Sequence, residues 1–133
     1  MLGAISCGKK YIGQDISEIH VRESNQLISF LLKYGVKLDA TVTAKNIFDS
    51  TGEYDCLLTC PPYGDKEVWL DVPTSKCDCD AWIDECIDRF KCKRYIFIVD
   101  DTDVYWDNVV CSIDNKSHLN TNQEFLIILE GSN

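Results

Sequence analysis

A chain of 133 residues with 45% hydrophobic and 26% charged residues has the balance of one soluble globular domain, long enough to bury a core. Its 22 acidic residues outnumber 13 lysines and arginines, giving a net charge of −9. No basic run offsets them, so this chain by itself is expected to hold duplex DNA weakly. The longest apolar runs, 96–99 and 125–129, are too short to span a bilayer, and no basic stretch leads into an apolar one at the start; the chain reads as soluble and cytoplasmic.

In chain order, residues 1–8 read as the end of a helix. Residues 10–15 form a short apolar run that closes on Asp15 and reads as a strand. Ser17 then offers a helix N-cap, with His20 where a capping box places Glu. Leu27, Ile28, Leu31 and Leu32 recur at helical spacing until Gly35 closes the helix. Residues 41–44 read as a second strand. Residues 54–59 read as a third, apolar enough for burial on both faces in a parallel sheet. An irregular stretch follows Pro61-Pro62-Tyr63-Gly64. Residues 80–90 then make a helix with Trp82, Ile83, Cys86, Ile87 and Phe90 in one stripe, and 94–99 a fourth buried strand. Residues 109–113 and 124–129 flank the polar stretch 115–122 as an antiparallel hairpin. Alternating strands and helices with a terminal hairpin predict a three-layer α/β sheet, mostly parallel with an antiparallel edge.

Eight cysteines without a secretory signal read as reduced thiols, Cys56 and Cys111 being small hydrophobes within strands. Cys77, Cys79, Cys86 and Cys92 have irregular spacing, and Cys86 falls on the apolar stripe, so zinc is not expected. His20 and His118 have no metal-ligand partner nearby in sequence and read as surface or capping residues. The acid runs 78–88 and 100–107 read as solvated faces.

The chemistry is concentrated where the third strand meets Cys60-Pro61-Pro62-Tyr63. Proline cannot extend a parallel strand, so the chain leaves the sheet there in a stiff turn. That point is the carboxyl end of a strand, where open α/β sheets bind ligands. The turn fixes a backbone carbonyl beside a flat ring.

This stretch resembles the catalytic tetrapeptide of the S-adenosylmethionine-dependent DNA amino-methyltransferases, which is Asp, Asn or Ser followed by Pro-Pro-Tyr or Pro-Pro-Phe. The resemblance covers most of the chain and implies a Rossmann-like methyltransferase sheet. It also implies methyl transfer to the exocyclic amine of adenine or cytosine in DNA, with the base flipped from the duplex. By position, Tyr63 is the stacking platform and the Pro61 carbonyl accepts from the amine. Cys60 stands where the family has its polar acceptor, and a thiol accepts more weakly. For S-adenosylmethionine the resemblance implies Asp15 on the ribose hydroxyls, Ile16 beside the adenine and Asn46 on its amino group, with Ile47 and Thr59 also among the cofactor-binding residues. The family's first strand and glycine-rich loop have no counterpart before Asp15, so a partial catalytic domain over 1–133 is expected, possessing weak or no cofactor binding. Its partners would be DNA through the flipped base, a missing N-terminal segment or recognition domain, or a second copy of the chain. Two other readings stay open. RNA bases or protein glutamine amides are alternative substrates, since Pro-Pro-Tyr also serves those reactions. A catalytically dead interaction or dimerisation module is the third.

Overall fold

The computed structural model describes residues 1–61, 78–100, 102–114 and 123–131. Met1–Asp49 forms one compact unit, and the described residues from Ser50 onward form a second. Both are α/β, and the strands fall into two sheets rather than the single sheet expected.

The first unit opens with a short helix α1 (Leu2–Ser6). Gly8, at φ +63, closes it in a conformation that a Cβ would strain. β1 (Tyr11–Asp15) pairs in parallel with β2 (Ala40–Ala44), Asp15 opposite Ala44. Between them runs α2 (Glu18–Lys33), whose N-cap is Ser17. The Ser17 hydroxyl accepts from the His20 backbone N–H at 3.3 Å, so the predicted cap is present, with His20 contributing its main chain. At the other end Gly35, at φ +81, lets the chain turn back toward β2, as the sequence implied.

The second unit is a four-stranded mixed sheet of order β3-β4-β6-β5, built from β3 (Gly52–Thr59), β4 (Phe90–Val99), β5 (Val109–Asp114) and β6 (Gln123–Glu130). β3 and β4 are parallel; β6 is antiparallel to both β4 and β5. The hairpin is therefore as expected, but its second strand takes the inner position and leaves β5 at the edge. Helix α3 (Cys79–Arg89) packs against β4 and buries Ile83 and Cys86 completely. Phe90, expected as the last residue of the helical stripe, has extended dihedrals and begins β4.

One face of this sheet is the core. Phe97 lies opposite Thr59 on one side and Ile127 on the other, and Phe97, Val99 and Ile127 are fully buried. Full burial of such side chains contributes roughly 1.5–3 kcal/mol each. Tyr95 is buried beside them, its hydroxyl donating to the Phe90 carbonyl at 2.6 Å and accepting from the Cys92 N–H at 3.2 Å. The opposite face corrects the sequence reading of β3. Leu58 is 63% exposed and Cys56 is exposed, so β3 is not covered on both faces. The apolar run reported hydrophobicity faithfully, but a strand is doubly buried only when helices cover both sides. Cys111 is likewise exposed. Among the described residues no helix is long and apolar enough to cross a membrane.

Candidate functional site

In the first unit, the carboxyl ends of β1 and β2 gather four of the predicted residues. Asp15 ends β1, and its backbone carbonyl accepts from the Lys45 N–H at 2.9 Å, which ties the exit of β2 to that of β1. The Asp15 side chain turns toward the start of α2: Oδ1 accepts from the Ser17 N–H at 2.8 Å, and Oδ2 lies 3.5 Å from His20 Nδ1. Ser17 is fully buried, and its hydroxyl accepts from backbone, so Asp15, His20 and Ser17 do not form a nucleophilic relay. Ile16 is exposed. Beyond β2, Asn46 Oδ1 accepts from the Phe48 N–H at 3.0 Å and caps the short 3₁₀ turn Ile47–Asp49. A carbonyl oxygen has two lone pairs, so the second remains for a ligand amine. Asp15, Ile16, Asn46 and Ile47 thus share one edge of one sheet.

In the second unit, Thr59 closes β3 opposite Phe97, and Cys60 follows with an exposed thiol. Pro61 is fully buried, which anchors the start of the turn. Pro62 and Tyr63 lie outside the described residues, as do Trp69, Cys77 and His118. Because β3 and β4 are parallel, the same edge carries the exit of β4 and the N-terminus of α3.

That edge holds a polar cluster which sequence reading assigned to solvent. Asp78 caps α3 by accepting from the Ala81 N–H at 3.1 Å. The Asp80 carboxylate accepts from the Thr102 hydroxyl, from Asp103 N–H at 3.0 Å and from Val104 N–H at 3.2 Å. Thr102 Oγ1 in turn accepts from the Tyr105 N–H at 3.1 Å, and the Tyr105 hydroxyl donates to Asp84. Cys79 donates its thiol proton to Asp100 at 3.4 Å. Burial pushes the Asp80 carboxyl upward, but the Thr102 hydroxyl and the two N–H donors outweigh it and hold the group below its ordinary value. Burial, with the bond to Asp84 second, raises the Tyr105 hydroxyl well above the usual phenol range. The acids of this cluster are connectors of helix to loop, not simply a solvated face. The only local signal for them was Asp78 at a capping position.

Burial is also the main cause that raises the thiol of Cys86, pushed up to about 12, and those of Cys56 and Cys92. Among the described residues no group of three or more His, Cys, Asp or Glu side chains is arranged to hold a metal ion. A cavity of about 330 Å³ lies elsewhere, lined by Ile5, Gly8, Lys9, Lys37, Leu38 and Asp39 at the amino ends of β1 and β2. Those ends are opposite to the edge that carries Asp15, and no pattern along the chain marks the cavity.

The acidity is unevenly placed. Only Asp15, Glu18, Glu23, Asp39 and Asp49 precede Ser50, so the excess negative charge belongs to the second unit. No family model, no curated protein and no solved structure matches this chain.

Proposed function

We propose that the chain is the catalytic part of an amino-methyltransferase that uses S-adenosylmethionine and acts on the exocyclic amine of adenine or cytosine in DNA, in a Rossmann-like arrangement. The observation that supports this best is the shared placement of the motif residues at strand carboxyl ends. Asp15 and Asn46 leave one parallel pair, and Thr59, Cys60 and Pro61 leave β3 of another. Open α/β sheets place ligands at that end.

The residues around Asp15 suit a ribose. A carboxylate offers about four acceptor positions; Ser17 and His20 approach one on each oxygen, which leaves a position on each for a vicinal diol. Asp15 would hold the cofactor hydroxyls, Ile16 and Ile47 would flank the adenine, and Asn46 would accept from its amino group. When bound, the cofactor supplies an electrophilic methyl group. The remaining work falls to this chain: Tyr63 stacks the flipped base, and the Pro61 carbonyl with the Cys60 sulfur accepts from the amine, aiming the nitrogen lone pair for in-line attack. Since sulfur accepts weakly, the Pro61 carbonyl carries most of that orientation, and its buried ring holds it still.

Isothermal titration of S-adenosylmethionine and S-adenosylhomocysteine into the chain tests the cofactor assignment. The expected result is binding that Asp15→Ala weakens about tenfold, the loss of roughly 1.4 kcal/mol of hydrogen bonding. Equal binding by both proteins would refute it, whereas no binding at all would match the catalytically dead reading of the chain. Methylation assays across DNA, RNA and protein then assign the substrate, the acidity of the second unit weighing against unaided binding to a nucleic-acid backbone. A second reading, an interaction module, draws on the exposed apolar Leu58 of β3; a concentration-independent monomer in light scattering would count against it.

A further inference from the structure

The Asp15 carboxylate is held from two sides. Oδ1 accepts from the Ser17 N–H at 2.8 Å, a main-chain donor fixed by the N-terminus of α2. Oδ2 lies 3.5 Å from Nδ1 of His20, one helical turn further on. The ring nitrogen faces that oxygen at ion-pair range, longer than an ordinary hydrogen bond, and restrains it electrostatically when Nδ1 carries a proton. Without the ring, the carboxylate plane pivots about the single Ser17 contact, because rotation about a terminal carboxyl torsion has a broad, shallow profile.

We propose that His20 is a positioning residue which, with the Ser17 N–H, locks the Asp15 carboxylate in the plane that receives a vicinal diol, and so sets a preference for ribose over deoxyribose ligands. This rests on the reading of Asp15 as the ribose acceptor. Bidentate acceptance from two adjacent hydroxyls needs both oxygens at once, so it is sensitive to rotation of the carboxylate. A ligand with a single hydroxyl needs only one oxygen and tolerates that rotation. The histidine therefore acts on discrimination more than on binding as such.

His20→Ala is a clean probe. The cap of α2 uses the His20 backbone N–H, which alanine retains, and the imidazole is half exposed. The fold should survive, and a thermal melt checks that it does. Adenosine and 2′-deoxyadenosine are titrated into wild type, His20→Ala, His20→Gln and Asp15→Asn. For adenosine, His20→Ala should weaken binding roughly two- to fivefold, the range of a partly exposed ion pair, and His20→Gln, whose amide can also donate, should recover part of it. For 2′-deoxyadenosine, wild type and His20→Ala should bind alike. If Asp15→Asn weakens adenosine while His20→Ala leaves it unchanged, or weakens both ligands equally, the role of His20 is overturned and the ribose reading stands. If Asp15→Asn binds adenosine as wild type does, or wild type fails to bind it, the ribose reading falls and the role of His20 with it.

Discussion

Replacing Asp80 by alanine removes one carboxylate that joins the first turn of α3 to the loop after β4. Three donors lose their acceptor: the Thr102 hydroxyl and the N–H groups of Asp103 and Val104. They do not count equally. Asp103 and Val104 are exposed, so water replaces the carboxylate there at little loss, whereas Thr102 is only 6% exposed and its hydroxyl is stranded. A stranded buried donor costs about 1–3 kcal/mol; with screening at a half-exposed carboxylate, the whole change should come to about 2 kcal/mol at neutral pH. The effect should also depend on pH. The carboxyl of Asp80 titrates below its ordinary value when folded, because its three donors outweigh burial. A group lowered in this way contributes stability that is fully present above the unfolded value and is lost as pH falls through the folded one. Urea unfolding of wild type and Asp80→Ala at several pH values tests this. The gap between them should be widest above the ordinary carboxylate range and narrow as the pH falls below it. A gap that is below about 0.5 kcal/mol at neutral pH, or one that is unchanged in acid, refutes the reasoning.

Other outcomes follow from the second unit. Phe97→Ala, at a fully buried position between Thr59 and Ile127, should cost about 3–5 kcal/mol in the same unfolding assay. Tyr95→Phe deprives the Phe90 carbonyl and the Cys92 N–H of their partner and should cost about 1–3 kcal/mol, although the ring stays. Gly131→Ala places a Cβ 1.7 Å from the Cys92 carbonyl oxygen, so β4 and the end of β6 must part; the melting temperature should fall, and Gly131→Ser should do no better. Iodoacetamide near neutral pH, read by mass spectrometry, should modify Cys60 and Cys7 well before Cys86, which is buried and whose thiol is raised to about 12.

The elements legible in the sequence are those specified by neighbours along the chain. Ser17 caps α2 and Gly35 ends it because capping and a left-handed turn are decided within a few residues. The hairpin of β5 and β6 followed from two apolar runs around a polar stretch. What escaped depends on partners far away. Nothing local says that β6, not β5, lies against β4. The composition of β3 gives no indication that the side of Leu58 stays open. Asp80 resembles any exposed helical acid until the loop 22 residues later is brought over it. At the candidate site, Asp15 was marked by its position after an apolar run, while His20 was marked only as a cap. Its ring reaches Asp15 because the first turn of α2 folds back over the end of β1, which spacing alone does not reveal.

The order β3-β4-β6-β5 also bears on how the chain is made. β6 occupies an inner position, yet it is synthesised after the strands on either side of it. Until its residues emerge, β4 presents its apolar residues Ile96, Phe97 and Ile98 along an open edge, and β5 has no neighbour at all. The sheet therefore closes by insertion, a late event that joins residues about thirty positions apart and is slow relative to helix formation. During synthesis that waiting edge is where a nascent chain is most exposed to pairing with another copy of itself, and slowing the appearance of β6 should lower the yield of folded protein before any change in its final stability is seen.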